Sequence, residues 1–438
     1  MRSTLFHIPH ELFGIPVFGW GWLLGLWAVA SGVVLVRQVR RHGWGNETWS
    51  LLPLLGLLGL AIGIVLPRLE ELQHGVTLGL PIRGYGVMML LAVTAGIALS
   101  VWRAQRVGLD PERIYALAFW MFLAAITGAR LFYVVQYWRQ FRRADGKLLA
   151  TAGDVLNVAQ GGLVVYGALA GGLIACLVFL RARRLPVLAV GDLIAPGMAL
   201  GLAIGRLGCL LNGCCFGGTC DDPWAVTFPA SSPPYAWQHR MGVLHGFQLG
   251  EDPQGRPVVG TVDPQGPAAA AGLAAGDEIA SIDGMRVASL DEASAQLERA
   301  GTSLSLDTVD GQRLIVRIGQ LPPRSRPVHP SQVYSSISAG LLCLLLLAWD
   351  RCRRRDGELL ALLLTLYPLG RFGLELLRTD ERGQFHTGLT IAQLISLGLL
   401  VLAAGLWFYV LRQGRGSVWD ARGATARRPP DHAPAGGK

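Results

Sequence analysis

Val190-Gly-Asp-Leu-Ile-Ala-Pro-Gly-Met-Ala-Leu-Gly-Leu-Ala-Ile-Gly-Arg-Leu-Gly-Cys-Leu-Leu-Asn212 decides the fold class. The stretch is apolar over roughly the 20 residues a helix needs to cross a bilayer. Alone, it would also suit a buried helix of a large soluble protein. Similar runs at 14–36, 50–67, 84–102, 114–135, 161–180, 332–349, 358–377 and 389–411 remove that option. In lipid every backbone N–H and C=O needs a partner, so only helices or closed barrels span it, and these runs are too continuous for barrel strands. The expected fold is an all-α polytopic membrane protein with about nine transmembrane helices. No basic n-region precedes a small-residue cleavage site, so the first helix is expected to stay in the mature chain.

The formal charge is +9, with 51% hydrophobic and 16% charged residues. Such a balance could suit nucleic acid, but its placement excludes that partner. Basic clusters lie at Arg37–Arg41, Arg103–Arg113, Arg181–Arg184, Arg351–Arg355 and from Arg412 onward. With the N-terminus outside and nine spans, all fall on the cytoplasmic side, as the positive-inside rule requires. Residues 139–147 break the rule with Arg139, Arg142, Arg143 and Lys147 on the outer side. Chance in a short loop and attraction for anionic headgroups both account for them.

Residues 221–328 are polar and contain no span. Within them a strand over Val258–Val262 leads into Gly266-Pro-Ala-Ala-Ala-Ala-Gly-Leu-Ala-Ala-Gly276. An alternating strand over Glu278–Ile282 follows, then an Asp283-Gly284 hairpin turn. Residues 290–299 read as a helix, and two more strands flank Asp310-Gly311. Residues 243–320 thus resemble a PDZ domain, a small α+β, β-barrel-like module that binds an extended peptide at a sheet edge. A β-rich spacer is the alternative. Residues 414–438, rich in Arg, Gly, Pro and Ala, are expected to form a disordered cytoplasmic tail.

Ionisable groups within spans cost several kcal/mol and are functional candidates. Arg206 stands in a segment with Gly205, Gly208, Gly213 and Gly217, where bare amides and a planar guanidinium suit a phosphate. Asn212 adds a donor and an acceptor. A helix-packing glycine motif with an outward-snorkelling arginine is the alternative. Arg371, Glu375 and Arg378 sit at i, i+4 and i+7, on one helix face. They read either as charge compensation or as a phosphate-binding arginine oriented by a carboxylate, with Arg378 near the outer end. Arg130 lies near the outer end of its span and Tyr85 at an interface.

Cys209, Cys214, Cys215 and Cys220 cluster, but adjacent cysteines chelate zinc poorly and no second paired half follows. An outer-face disulfide involving Cys220 is the other option. No metal site is expected. His10-Glu-Leu-Phe-Gly lacks the second histidine of a metalloprotease, and neither a Gly-x-Ser-x-Gly elbow nor a P-loop occurs.

Seven pieces in order resemble the prolipoprotein diacylglyceryl transferase family: Arg83-Gly-Tyr-Gly, Gly128-Ala-Arg-Leu, Gly161-Gly-Leu-Val-Val-Tyr-Gly, Asp192-Leu-Ile-Ala-Pro, Gly205-Arg-Leu-Gly-Cys-Leu-Leu-Asn-Gly-Cys-Cys-Phe-Gly, His329-Pro-Ser-Gln-Val-Tyr and Gly370-Arg-Phe-Gly-Leu-Glu-Leu-Leu-Arg. The resemblance covers 80–220 and 327–411, leaving 1–79 as an extra pair of N-terminal spans and 243–320 as an insertion. It implies a multi-pass enzyme of the bacterial inner membrane, active on the extracytoplasmic side. Such an enzyme moves the diacylglyceryl group of phosphatidylglycerol to the lipobox thiol of a prolipoprotein signal peptide, releasing glycerol phosphate, without a cofactor. It places functional positions on Tyr85, Arg206, Asn212, Gly217, Arg371 and Glu375; Arg130, Gly208, His329 and Arg378 are further candidate contacts with substrate.

The sequence departs from the family at Tyr166-Gly167, where many members carry His-Gly. Phenol is a poor base at neutral pH, so Tyr166 and Glu375 both stand as thiol activators. The departure also leaves a competing reading: a non-catalytic membrane scaffold that binds phospholipid and recruits a peptide or protein through the PDZ-like insert. A third is an enzyme of this fold acting on another thiol or alcohol.

Overall fold

A computed structural model describes residues 4–73, 76–141, 155, 162, 164–378 and 388–419. Arg142, Arg143, Lys147 and Gly161 lie outside the described residues, as does the tail from residue 420. Eight helices among the described residues are long and apolar enough to cross a membrane. The ninth expected span, Glu358–Glu375, is also a helix, of 18 residues. It is less apolar than the other eight because it carries Glu358, Arg371 and Glu375. The protein is a helical, multi-pass membrane protein with small sheets. Large side chains facing outward, among them Leu90, Val135, Leu169, Leu344 and Val401, are 63–75% exposed, a surface that lipid rather than water would cover.

The chain divides into two compact units. The first holds residues 1–88 and 211–214. Its helices α1 (Trp22–His42) and α2 (Asn46–Leu60) are joined by a short link, and α2 continues as a π turn, Ala61–Val65, and a 3-10 turn, Leu66–Leu69. A three-stranded antiparallel sheet sets Val76–Arg83 between Thr4–Ile8 and Glu71–Gln73, with Ile8 opposite Leu80.

The second unit holds residues 89–210 and 215–438. Its membrane helices are α3 (Gly84–Arg106, from Met89 on), α4 (Pro111–Gln136), α5 (Val165–Ala182), α6 (Val187–Asn212, to Leu210), and, beyond the polar insert, three more described below. Helix α4 opens with Pro111 in its first turn and Asp110 accepting from the Glu112 N–H (3.0 Å), a sequence-encoded start. Helices α4 and α5 pack closely because Gly128 and Gly167 face each other; a Cβ on Gly128 would lie 3.2 Å from Gly171 Cα.

The polar insert opens with α7 (Pro233–Arg240) and contains α8 (Leu290–Arg299). The α8 bounds match the expected 290–299, since Ser289 caps the Glu292 N–H (3.3 Å) and Glu292 reaches back to the Ala288 N–H (2.8 Å). Strands Arg313–Arg317, Ser303–Thr308, Ile279–Ile282 and Met285–Arg286 form an antiparallel sheet in that order. Pro257–Val262 pairs with Phe247–Glu251, a strand with no clear sequence signal. Ile279, Ile282, Leu297, Leu304, Leu306 and Val316 make a separate core at 1% exposure or less.

The chain then returns through α9 (Ser331–Trp349), α10 (Glu358–Glu375) and α11 (Ile391–Arg412). Among the described apolar helices α6 is the most buried. Its Ala189, Val190 and Leu193 join one core with α3, α4 and α5, and its Ala195 and Ala199 join another with α9 and α10.

Candidate functional site

Asp192 anchors the end of α6 opposite Arg206. Its side chain is fully buried and accepts from Arg353 Nη1 (2.9 Å) and from the N–H groups of Gly357 (2.7 Å) and Leu360 (2.9 Å). One carboxylate thus caps α10 and neutralises an arginine. Arg353, expected only as part of a basic connection, also reaches Asp350 (3.3 Å) and Asp356 (3.4 Å).

Fourteen positions along α6, about 21 Å at 1.5 Å per residue, the helix presents Arg206. Arg206 and Arg371 line one cleft, with Leu202, Ser335, Ser338 and Tyr367. Tyr367 hydrogen-bonds the Arg206 side chain. It lies one turn before Arg371 on the same face of α10, a spacing visible in the sequence. Two guanidiniums facing one partly apolar cleft suit a dianionic or diester phosphate.

Glu375 stands behind Arg371 rather than in the cleft lining. It is 2% exposed and ion-pairs with Arg371. Arg378 Nη1 lies 3.6 Å from the same carboxylate, and the Thr390 hydroxyl donates to Glu375 Oε1 (3.2 Å). Arg378, near the outer end, has its side chain 7% exposed and turned toward Glu375. Helix α10 ends at Glu375, so the i+7 position lies in the turn beyond it, yet the three charges still meet. Thr390 also caps α11 through a capping box with Gln393, tying that helix to the charged cluster.

The glycine segment after α6 is pinned rather than loose. Helix α6 stops at Asn212 because Gly213 takes φ 76°, beyond which no helix continues. Gly217 and Gly218 donate to the carbonyls of His329 (3.0 Å) and Leu377 (2.9 Å), and the His329 N–H returns to Gly218 (2.9 Å). A Cβ on Gly217 would stand 2.7 Å from His329 Cβ, so only glycine fits. Ser331 Oγ donates to the Cys215 carbonyl (2.6 Å). His329 therefore acts through its backbone here. Its Nδ1 is 3.8 Å from Asp222 Oδ2, and Cys220 Sγ joins them within 4.8 Å. None of the seven cysteines is in a disulfide, including Cys220, where one was an option.

Other expected residues sit apart from the cleft lining. Arg130 donates from Nε to the Val155 carbonyl (2.8 Å) and from Nη1 to Gly162 (3.2 Å), holding backbone. Tyr166, in the first turn of α5, is 39% exposed and does not line the cleft. Gly208 is buried within α6. Tyr85 and Asn212 belong to the first unit, both exposed; there Gly84 packs on Leu211, where an added Cβ would be 3.0 Å from Leu211 Cδ1.

Comparison with known sequences gives this arrangement a family. The sequence model of prolipoprotein diacylglyceryl transferase matches residues 73–409. A phosphatidylglycerol–prolipoprotein diacylglyceryl transferase of Rhodopirellula baltica is 36% identical over 98% of this chain and 92% of its own length, so that match runs through the insert. The enzyme of that name from Clostridium tetani is 25% identical over 74% of this chain and 91% of its own. The one from Synechococcus elongatus is 38% identical over 36% of this chain and 52% of its own. With the family model spanning most of the chain, both cleft arginines and Glu375 included, the protein belongs to the prolipoprotein diacylglyceryl transferase family.

Proposed function

We propose that this transferase moves the diacylglyceryl group of phosphatidylglycerol onto the lipobox cysteine thiol of prolipoproteins and releases glycerol phosphate. The observation that carries the reading is Arg206 and Arg371 lining one cleft. In the reaction the thiolate sulfur bonds to the glyceryl carbon while the carbon–oxygen bond to phosphate breaks, so negative charge grows on the departing phosphate. Preorganised guanidiniums in a water-poor cleft stabilise that charge. Tyr367 orients Arg206 and Glu375 orients Arg371, so neither has to reorganise as the charge moves. A carboxylate already serving two arginines and a hydroxyl is better suited to positioning than to taking the thiol proton. Asn212 and Tyr85 are assigned to substrate binding, and Gly217 to holding the segment against His329.

Residues 243–320 are read as a PDZ-like domain on the extracytoplasmic side of the inner membrane, where they capture or gate peptide. The strand, turn and helix order with the Gly266–Gly276 turn supports this. Deleting 243–320 should narrow acceptor range or slow transfer; an unchanged range and rate would overturn it. Retention of two part-buried arginines on one cleft disfavours the scaffold alternative, which Tyr166 favours. Complementation of cells depleted of their own transferase, read by lipidation of a reporter lipoprotein, decides between them. Stable insertion without lipidation would sink the transferase reading.

A further inference from the structure

A second cavity lies at the far end of α3 and α6 from Arg206. Arg103, in the last turn of α3, is 7% exposed. Its Nη2 pairs with Asp350 at 3.0 Å. Its Nε and Nη1 are shielded from solvent and have no hydrogen-bond partner among the described residues. A buried donor left without an acceptor costs about 1–3 kcal/mol, and more when charged, so such a group calls for a ligand.

The cavity around it is lined by Trp102, Arg106, Asp350, Arg351, Arg353 and Trp419 as well. With Arg353 neutralised by Asp192, the other three arginines against Asp350 leave two positive charges on its wall. Arg353 is committed to Asp192 (2.9 Å) and its neighbours. Arg106 stacks on Trp102, 3.6 Å from the ring centroid, which holds its guanidinium plane in place. Preset, planar donors beside an indole wall match a phosphate carried on an apolar or glyceryl body. Asp192, at this end of α6, is about 21 Å along the helix from Arg206.

We propose that this cavity binds the phosphate of an anionic ligand, a phospholipid headgroup or a soluble phosphate ester, at the helix ends remote from the Arg206–Arg371 cleft. The site is separate from the transferase reading and does not depend on it.

The test is native mass spectrometry of the full chain in detergent, carrying Arg206→Ala and Arg371→Ala to silence the cleft. It is titrated separately with phosphatidylglycerol and with glycerol 3-phosphate. One bound phosphate ligand is expected in at least one titration. Adding Arg106→Gln and Arg351→Gln, both at exposed positions, should weaken it roughly tenfold. Binding of phosphatidylglycerol alone assigns the site to lipid, and binding of glycerol 3-phosphate to a soluble ester. No bound ligand, or an affinity unmoved by the two glutamines, would overturn the proposal.

Discussion

Arg206 and Arg371 come from helices 165 positions apart in the chain and line the same cleft. Each is held by a residue of α10, Tyr367 for one and Glu375 for the other, so the separation needed to grip a phosphate is set by one helix.

Arg206→Ala and Arg371→Ala should each lower transfer by about two to four powers of ten, the range for removing preorganised electrostatic stabilisation. Membrane insertion should persist. Arg371→Lys should not restore activity, because a point charge lacks the fork that Glu375 orients. Single-turnover transfer to a lipobox peptide measures this.

Glu375→Gln should do more than slow transfer. It leaves Arg371 and Arg378, both mostly buried, without their shared counter-charge. Breaking a buried ion pair costs about 3–5 kcal/mol. The midpoint of thermal unfolding in detergent should fall, and removing Arg378 as well should recover part of the loss.

Gly217→Ala forces a methyl against the His329 Cβ and the Leu377 carbonyl (3.0 Å). The expected cost is about 1–3 kcal/mol from overpacking, with the segment displaced from His329 and Leu377. Hydrogen exchange at the Gly217 and Gly218 amides should rise, and Gly208→Ala, inside α6, gives a control without that backbone ladder.

Asp192→Ala removes the acceptor of one guanidinium and two backbone N–H groups at once. A loss of about 3–5 kcal/mol is expected. Asp192→Asn, which keeps an acceptor for Gly357 or Leu360, should lose less.

Burial holds the His245 ring below the ordinary histidine value, and the stacked His239 ring (5.4 Å) adds to the effect. The folded insert then binds fewer protons than the unfolded chain, so stability rises with pH. It is fully present above the ordinary value near 6.5 and falls as pH drops through the lowered folded value, by at most about 1.4 kcal/mol per pH unit. The protection factors of amides in α8 and Ser303–Thr308, taken relative to the intrinsic rate at each pH, should fall as pH drops below the ordinary value. His245→Phe should flatten the dependence.

The helices were legible because lipid admits little else for apolar runs of that length, and α8 because caps and periodicity agree locally. Motif order pointed to the family, and the face shared by Arg371 and Glu375 followed from helical spacing. The spacing of one helix cannot say which other helix it meets, and there tertiary structure decided. It placed Arg206 opposite Arg371, spent Arg130 on two carbonyls, and turned Arg378 inward onto Glu375. It joined Arg353 to Asp192, which read separately as a basic loop and a motif residue. A charge declares its cost from the sequence alone, but its partner is chosen by packing across distant segments, where the nearest counter-charge in space lies 161 positions away in the chain.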